Sequence, residues 1–399
     1  MGPNQAGATP PSGAKSSERF HKSAGYDRGD GARHLWRGLD VGSTQVWLEA
    51  AAPRVRCSEH GVVVASVPWA RHGAGHSHGF DATIAWMATV MSKTAVTVLM
   101  RVAWRTVGSI IARVWADTGE TADRFAGVRR IGIDEISYKR GHRYITVVVD
   151  HDSGHVLWSG EGRTKATLNK FFDLLGPERC AAITHVSADG ADWIGTVVAE
   201  RCPNAVQVAD PFHVVGWATT ALDDERRSVW NKARSGQRKR GDGKATGEAP
   251  EEAKALKRAR WALWKNPEDL NANQKAKLEW IMASHPGLYR AYLLKEKLRL
   301  VFKLPLAEAT VALDGWLSWA RRCQIPSFVV LAKRITKHRS AILASIEHGL
   351  SNGRVESVNT KIRLLTRVAF GFKSADSLIA LLMLSLGGHR PVLPGRRNR

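Results

Sequence analysis

The stretch RIGIDEISYKRGHRYITVVVD at residues 130–150 decides the fold class of this chain. Within it, Arg130–Asp134 is a short apolar run that ends in an acid, and Tyr144–Asp150 is rich in β-branched residues. A third run, Val156–Gly160, follows through the turn residues 152–154. The three runs predict consecutive antiparallel strands.

Helix and strand patterns alternate in the residues that follow. Thr167–Leu175 and Ala191–Arg201 have the apolar spacing of helices, whereas Ile183–Ser187 and Ala205–Ala209 have the character of strands. The predicted order is therefore βββαβαβ, which is the layout of the ribonuclease H-like fold. The sequence predicts an α/β protein with a catalytic core of this kind.

The rest of the chain is organised around this core. Its N-terminal part contains a Gly/Pro/Ser-rich segment and two strand-like runs, Thr44–Leu48 and Gly61–Val67. The predicted parts are a flexible leader at 1–30, a small β-rich module and possible degenerate zinc region at 31–79, a helix-turn-helix region at 80–127, the ribonuclease H-like domain at 128–215 and 351–390, an all-α insertion at 216–350 and a basic tail at 391–399.

The predicted insertion is basic, helical in its spacing and rich in tryptophan. Trp261, Trp264 and Trp280 are predicted to share one buried helical face rather than to stack on bases. Trp193, which directly follows Asp192, is the tryptophan we expect to meet a base.

Charge and composition restrict the function further. The chain has 59 Lys and Arg against 37 Asp and Glu, a net charge of +22 over 399 residues, which favours a polyanionic partner. With 44% hydrophobic residues it buries a core, so it is not a disordered basic tail. Four dispersed cysteines exclude a disulfide framework and favour a reducing, cytoplasmic compartment. The apolar stretch Leu378–Leu386 is too short to cross a bilayer, so no membrane partner is expected.

Three acids have the positions that metal-dependent phosphoryl transfer requires. Asp134 ends the first predicted strand, and Asp189 follows the strand expected to pair beside it. Glu356 follows a polar helix start and would project from that helix onto the same edge. Such chemistry commonly uses two divalent ions ~4 Å apart held by carboxylates. Hard oxygen ligands favour Mg²⁺ or Mn²⁺, so we predict that the three acids are both catalytic and metal-binding.

The second aspartate has a competitor. Asp210 lies in the more recognisable motif with His213, but it follows the next strand outward. We therefore rank Asp189 first and interpret Asp210 and His213 as an accessory pair. Glu135 is a weaker candidate, because alternation along a strand turns it away from Asp134. Any one of these acids, taken alone, has the alternative of being an ordinary turn residue.

Residues 92–114 have the pattern of a helix, a tight turn and a second helix. In a helix-turn-helix the second helix enters the major groove, and its first residues read base edges. The alternative is a pair of ordinary packed helices, because the turn has no glycine. The predicted base readers are Arg105, Thr106 and Ser109, and the predicted phosphate contacts are Lys93, Arg101 and Arg113.

Four blocks of sequence resemble a known family. They are Ile131–Glu135, Gly141–Tyr144, Ala209–Val215 and Asn352–Glu356, the last continuing through Asn359, Lys361 and Ile362. In this order they resemble the ISL3 family of DDE bacterial insertion-sequence transposases, over about residues 80–390. The resemblance implies an enzyme that binds terminal inverted repeats, cleaves them and joins the freed 3′-hydroxyl to target DNA, as a homo-oligomer associated with the nucleoid.

Two further expectations accompany the resemblance. The family commonly has a cysteine-rich zinc module, but residues 1–56 contain no cysteine, so zinc binding by Cys57 and His60 stays open, with His72, His76 and His78 as substitutes. A basic, polar cluster around Glu356 is expected to hold the DNA backbone. Its members are Arg354, Asn359, Lys361, Arg363 and Arg367.

Two other functions fit the same residues. One is a structure-specific nuclease that cuts without joining, and the other is an inactive protein that binds element ends. Three convergent acids argue against the pure binder, which has no use for them.

Overall fold

A computed structural model of the chain describes residues 20–26, 33–51, 53–57, 61–64, 66–121, 123–189, 192–236 and 251–396. The chain divides into two compact units. Unit 1 comprises residues 1–124, 138–141 and 361–399, and unit 2 comprises residues 125–137 and 142–360.

Unit 1 begins with five short strands. Two of them form a two-stranded antiparallel sheet, and the other three form a second antiparallel sheet in which the fourth strand is central. The first strand lies inside the predicted leader at 1–30, which is therefore corrected at those residues. The strands are β1 (Phe20–Tyr26), β2 (His34–Arg37), β3 (Trp47–Ala50), β4 (Pro53–Cys57) and β5 (Gly61–Val64).

Three helices follow, α1 (His78–Ala88), α2 (Lys93–Met100) and α3 (Trp104–Thr121). The hydroxyl of Ser92 caps α2 by accepting from the backbone N–H of Ala95. Arg101 ends α2 in the left-handed region, with φ 52°, and so takes the place of the glycine that the turn lacks. The predicted helix, turn and helix is thus present.

Unit 2 contains a mixed five-stranded sheet in the order β10-β9-β6-β7-β8. The central strand β6 pairs in parallel with β9, β9 pairs in parallel with β10, and β7 pairs antiparallel with β8. The strands are β6 (Arg130–Lys139), β7 (Arg143–Asp150), β8 (Val156–Glu161), β9 (His185–Ala188) and β10 (Val206–Ala209).

Strand β6 is longer than the sequence predicted. Asp134 was expected to end it, but the strand continues to Lys139 because alternate apolar residues, Ile136 and Tyr138, remain buried. Helices α4 (Lys165–Leu175), α5 (Pro177–Ala182) and α6 (Asp192–Arg201) cover one face of the sheet. The short α5, which has proline at its first position, was not predicted.

The remainder of unit 2 is helical. Its core contains the fully buried Trp316. Trp264 and Trp280 pack against this core from two different helices, and Trp261 is 57% exposed, so the predicted common face is wrong. The helices are α7 (Pro211–Gly236), α8 (Glu251–Arg258), α9 (Arg260–Trp264), α10 (Ala272–Ser284), α11 (Pro286–Val301), α12 (Leu306–Arg322), α13 (Pro326–Lys337) and α14 (Arg339–His348).

Two helices complete the chain, α15 (Gly353–Val368) and α16 (Ala375–Leu386). Helix α16 packs against α3 within unit 1. Among the described helices, no single one is long and apolar enough to cross a membrane; α2 and Trp104–Thr118 pass that test only as a pair, bent by 103°.

Candidate active site

Three aspartates lie at the same level of three neighbouring parallel strands, Asp134 within β6, and Asp189 and Asp210 directly after β9 and β10. Ile133 of β6 is in register with Ala188 of β9, which is in register with Ala209 of β10. The residues that follow Ile133, Ala188 and Ala209 in the sequence are Asp134, Asp189 and Asp210, respectively. The strand register therefore places the three aspartates side by side at the carboxyl ends of β9 and β10.

Asp134 is held by hydrogen bonds to both carboxylate oxygens. Its Oδ1 accepts from the backbone N–H of Glu135 at 2.7 Å, and its Oδ2 accepts from the side-chain amide of Asn359 on α15. Burial raises the pKa of Asp134, and the charge of Asp189 adds to this effect against the opposing hydrogen bond from Glu135. The carboxylate is oriented, but its negative charge is poorly compensated.

Glu135 lies on the opposite face of β6, as alternation predicts. Burial, with the charge of Asp189, raises the pKa of Glu135 to about 7, although Arg163 and a hydrogen bond from Trp193 oppose the shift. Its Oε1 is buried and has no hydrogen-bond partner among the described residues. Trp193 itself packs against the apolar core of the sheet, which differs from the exposed position expected of a residue that meets a base.

Asp210 is fully engaged in the fold. Its Oδ1 accepts from the backbone N–H of Asn352 at 3.1 Å, and its Oδ2 accepts from the backbone and ring of His213 at 3.3 and 2.8 Å. Although burial opposes them, these bonds hold the pKa of Asp210 below its usual value. The hydrogen bond with Asp210 raises the pKa of His213. Asp210 thus joins the starts of α7 and α15 to the end of β10.

Helix α15 lies unusually close to the central strand. A Cβ on Gly132 would be 2.3 Å from Cγ2 of the buried Val355, so only glycine permits this approach. The side chain of Asn352 accepts from Ser187, whose hydroxyl is 2.7 Å from the ring of His151. These contacts fix the beginning of α15 on the sheet.

Glu356 lies in the first turn of α15 and is exposed. Among the described residues, no three His, Cys, Asp or Glu side chains converge closely enough to hold a metal ion. Asn359, one turn farther along, is only 2% exposed and binds Asp134. This corrects the expected DNA contact of Asn359. The sequence contains one indication of this position: Asn359 is three residues after Glu356, so the two side chains are neighbours on one face of the helix.

The helix-turn-helix residues fall into two groups. Arg105 and Ser109 are exposed one turn apart on α3, with Thr106 partly exposed between them. Lys93, in contrast, is 4% exposed, and its Nζ lies 4.6 Å from the ring centre of Trp104, which corrects its expected phosphate contact. Arg101 forms an ion pair with Asp40, and Arg113 lies 3.5 Å from Asp81.

The basic residues near Glu356 are exposed. Arg354 donates to the backbone carbonyl of Asp152 at 2.9 Å. The other exposed members are Lys361, Arg363 and Arg367. For the zinc prediction, His60 and the side chain of Cys57 lie outside the described residues. His76 stacks on Phe80, with ring centres 5.3 Å apart.

Comparison with known proteins identifies the family. The profile of the ISL3 transposase family, described as a transposase, matches residues 131–382. The profile described as the helix-turn-helix domain of transposase family ISL3 matches residues 65–115. The first of these covers more than half of the chain and contains all five acids of the candidate site, Asp134, Glu135, Asp189, Asp210 and Glu356.

Curated relatives agree with the profiles. The chain is 62% identical over 385 residues to the transposase for insertion sequence element IS1557 of Mycobacterium tuberculosis, covering 94% of this chain and 86% of that protein. It is 28% identical over 298 residues to the transposase for insertion sequence element IS1001 of Bordetella parapertussis, covering 74% and 70%. The chain therefore belongs to the ISL3 family of DDE insertion-sequence transposases, and it has the helix-turn-helix DNA-binding domain of that family.

Proposed function

We propose that this transposase cleaves the terminal inverted repeats of its element and joins the freed 3′-hydroxyl to target DNA, with Asp134, Asp189 and Glu356 as catalytic acids. The observation that carries the proposal is the register that sets Asp134 and Asp189 side by side at one sheet edge. We assign Asp210 and His213 a supporting role, because the carboxylate of Asp210 is already occupied by three hydrogen bonds.

We also propose that the sheet of unit 2 is ribonuclease H-like. Three consecutive strands followed by two parallel strands, in the order β10-β9-β6-β7-β8, support this assignment. The boundaries expected from the sequence remain part of the proposal, with residues 128–215 and 351–390 as the catalytic domain and 216–350 as the insertion.

Carboxylate oxygens are the ligands that a hard divalent ion prefers, although the described side chains do not by themselves converge on a metal site. Burial is the main cause that raises the pKa of both Asp134 and Glu135, and the charge of Asp189 raises both further. A positive charge at this edge would therefore relieve the repulsion between these carboxylates. Asp134 and Asp189 would hold Mg²⁺ or Mn²⁺, with Glu356 as the third ligand from α15.

When bound, the metal would activate the attacking oxygen and stabilise the leaving one. The chain itself positions the reacting carboxylates. Asn359 orients Asp134 through its Oδ2, and the backbone of Glu135 fixes the other oxygen. Exposed Arg354, Lys361, Arg363 and Arg367 bind the DNA backbone electrostatically.

Metal dependence gives a first prediction. Cleavage of a labelled duplex carrying the terminal repeat requires Mg²⁺ or Mn²⁺ and fails with Ca²⁺, whose longer, looser bonds misplace the attacking oxygen. Binding to the duplex persists in Ca²⁺. Gel analysis of products with each ion measures this. Robust cleavage in EDTA would remove the metal mechanism, and with it the reason for grouping the three acids.

End recognition gives a second prediction. Arg105→Ala loses about 1–3 kcal/mol of discrimination between the terminal repeat and random duplex, because a bidentate contact to a base edge is lost. Arg363→Ala weakens binding to both duplexes by the same factor, since a phosphate contact carries no sequence information. Titrations of both duplexes at one salt concentration measure the difference. Equal losses for Arg105→Ala would contradict its role as a base reader.

The proposed function is tested by incubating the protein with a terminal-repeat duplex, a target plasmid and Mg²⁺. We expect both cut ends and joined products. Cutting without joining would favour the structure-specific nuclease, and binding without cutting would favour the inactive protein. We propose that the reaction takes place in the cytoplasm, on nucleoid DNA, and that the protein acts as a homo-oligomer. The proposed reaction does not require zinc binding by the N-terminal module.

A further inference from the structure

An arginine of the helical region lies flat on a tryptophan in unit 2. The guanidinium carbon of Arg334 on α13 is 3.6 Å from the ring centre of Trp217 on α7. Trp217 is itself packed against the helical core. Stacking of this kind restricts the rotamers of an otherwise long and flexible side chain. The guanidinium is therefore held in place while Arg334 remains exposed.

The stacked arginine is near the acidic sheet edge. Burial lowers the pKa of Arg334, and the charges of Asp192 and Asp189 oppose this shift. Asp192 has a different ion-pair partner, Lys337, at 2.7 Å. Within the described part of the chain, Arg334 has no carboxylate partner at ion-pair distance. Its donors are thus not consumed by an ion pair among the described residues, and Lys337, one turn later on α13, contacts Asp192, three residues after Asp189.

Open space adjoins these residues. A cavity of about 290 Å³ is lined by Ala188 and Ala209, the residues that precede Asp189 and Asp210. Lys337 and His338, which follow Arg334 on the same side of unit 2, also line the cavity. Asp192 contributes one carboxylate to the wall, and Lys337 neutralises it. Open space therefore adjoins the strand ends that carry Asp189 and Asp210, and the ion pair of Asp192 and Lys337 lies on its wall.

We propose that Arg334 binds a phosphate of the DNA strand that enters at Asp189, and that Trp217 positions it for this contact. A guanidinium whose faces are stacked still presents its N–H donors at the edge, in the geometry that a phosphate accepts in bidentate fashion. The inference rests on the proposed function, since it takes the strand at Asp189 to be the cleaved one. It adds a DNA contact from the helical region to those on α15.

The test compares five variants in cleavage of the labelled terminal-repeat duplex. Arg334→Ala lowers the rate about 10- to 100-fold, and Arg334→Lys recovers only part of it, because a lysine offers charge without the planar fork. Arg339→Ala is the matched control: Arg339 is paired with Asp314 at 2.8 Å and loses the same charge with no effect on the rate. Trp217→Phe keeps most of the cleavage rate, whereas the rate of Trp217→Leu falls toward that of Arg334→Ala.

A second measurement separates a phosphate contact from a structural role. Single phosphates of the duplex are replaced by neutral methylphosphonates, and binding is measured in an Asp134→Asn background. When the contacted phosphate has been replaced, Arg334→Ala causes no further loss of affinity. When any other phosphate has been replaced, Arg334→Ala lowers the affinity as much as it does for the unmodified duplex. A full loss at every position, or a rate for Arg334→Ala equal to that of the wild type, would overturn the inference.

Failure of the inference is distinguishable from failure of the proposed function. If the wild-type protein cleaves and Arg334→Ala cleaves equally well, only the inference fails. If the wild-type protein binds the ends but does not cleave them with Mg²⁺ or Mn²⁺, the proposed function fails, and the methylphosphonate measurement still decides whether Arg334 binds DNA.

Discussion

Asp134→Asn, Asp189→Asn and Glu356→Gln each abolish cleavage of the terminal repeat, lowering the rate by about 10³-fold or more, while binding stays nearly unchanged. In the proposed mechanism each change removes a metal-binding charge without removing a DNA contact, and a 10³-fold loss corresponds to roughly 4 kcal/mol of transition-state stabilisation. Asparagine at position 134 keeps one oxygen for the backbone N–H of Glu135, and its NH2 group donates to Oδ1 of Asn359 once the amide of Asn359 turns over, so the local fold is preserved. Single-turnover cleavage and gel-shift titration measure the two effects.

Asp210→Asn is the discriminating control. Asp210 accepts hydrogen bonds from Asn352 and His213, so its replacement lowers the free energy of unfolding by about 1–3 kcal/mol, which is typical of a weakened buried hydrogen bond. The variant still cleaves the terminal repeat at a measurable rate. The opposite pattern, wild-type cleavage by Asp189→Asn and none by folded Asp210→Asn, would assign the second catalytic acid to Asp210.

Much of the sheet of unit 2 was predictable from local pattern. Runs of apolar residues predict the strands of the sheet, and the preference for Asp189 over Asp210 depends on the strand before Asp189 pairing with β6. The structure shows this pairing. The end of β6 was misplaced because an acid within a strand has the same local appearance as an acid that ends one. Only the continued burial of Ile136 shows the difference.

Side-chain partners distant in sequence were not predictable. Asn359 looks like a DNA contact within a basic helix, and its bond to Asp134 depends on how α15 docks on the sheet. Lys93 looks like a phosphate contact, and its burial against Trp104 depends on the packing of two helices. A local pattern indicates which residues are polar, but tertiary packing decides which of them face solvent.

Gly132→Ala lowers cleavage about 10²-fold and destabilises unit 2 by about 1–3 kcal/mol. The added methyl group would lie 2.3 Å from Cγ2 of Val355, a β-branched side chain with no exposed surface, so α15 itself has to move. Such a movement pulls Asn359 from Asp134 and displaces Glu356 on the same helix. Cleavage rate and thermal denaturation measure the two effects, with end binding as a check that the protein is folded.

Removing the obstructing side chain provides the control for this prediction. In Gly132→Ala combined with Val355→Ala, the severe contact at 2.3 Å is removed, and the remaining contact, with Nε2 of His151 at 3.0 Å, requires only a small shift. We therefore expect α15 to move back and cleavage to recover by at least about tenfold relative to Gly132→Ala alone. Because Val355 has no atom that reaches the reaction, such recovery depends on the position of α15 and not on chemistry at residue 132. If Gly132→Ala cleaved at the wild-type rate, or if the double variant regained stability but no activity, close docking of α15 would not be what places Asn359 and Glu356 at the acidic edge.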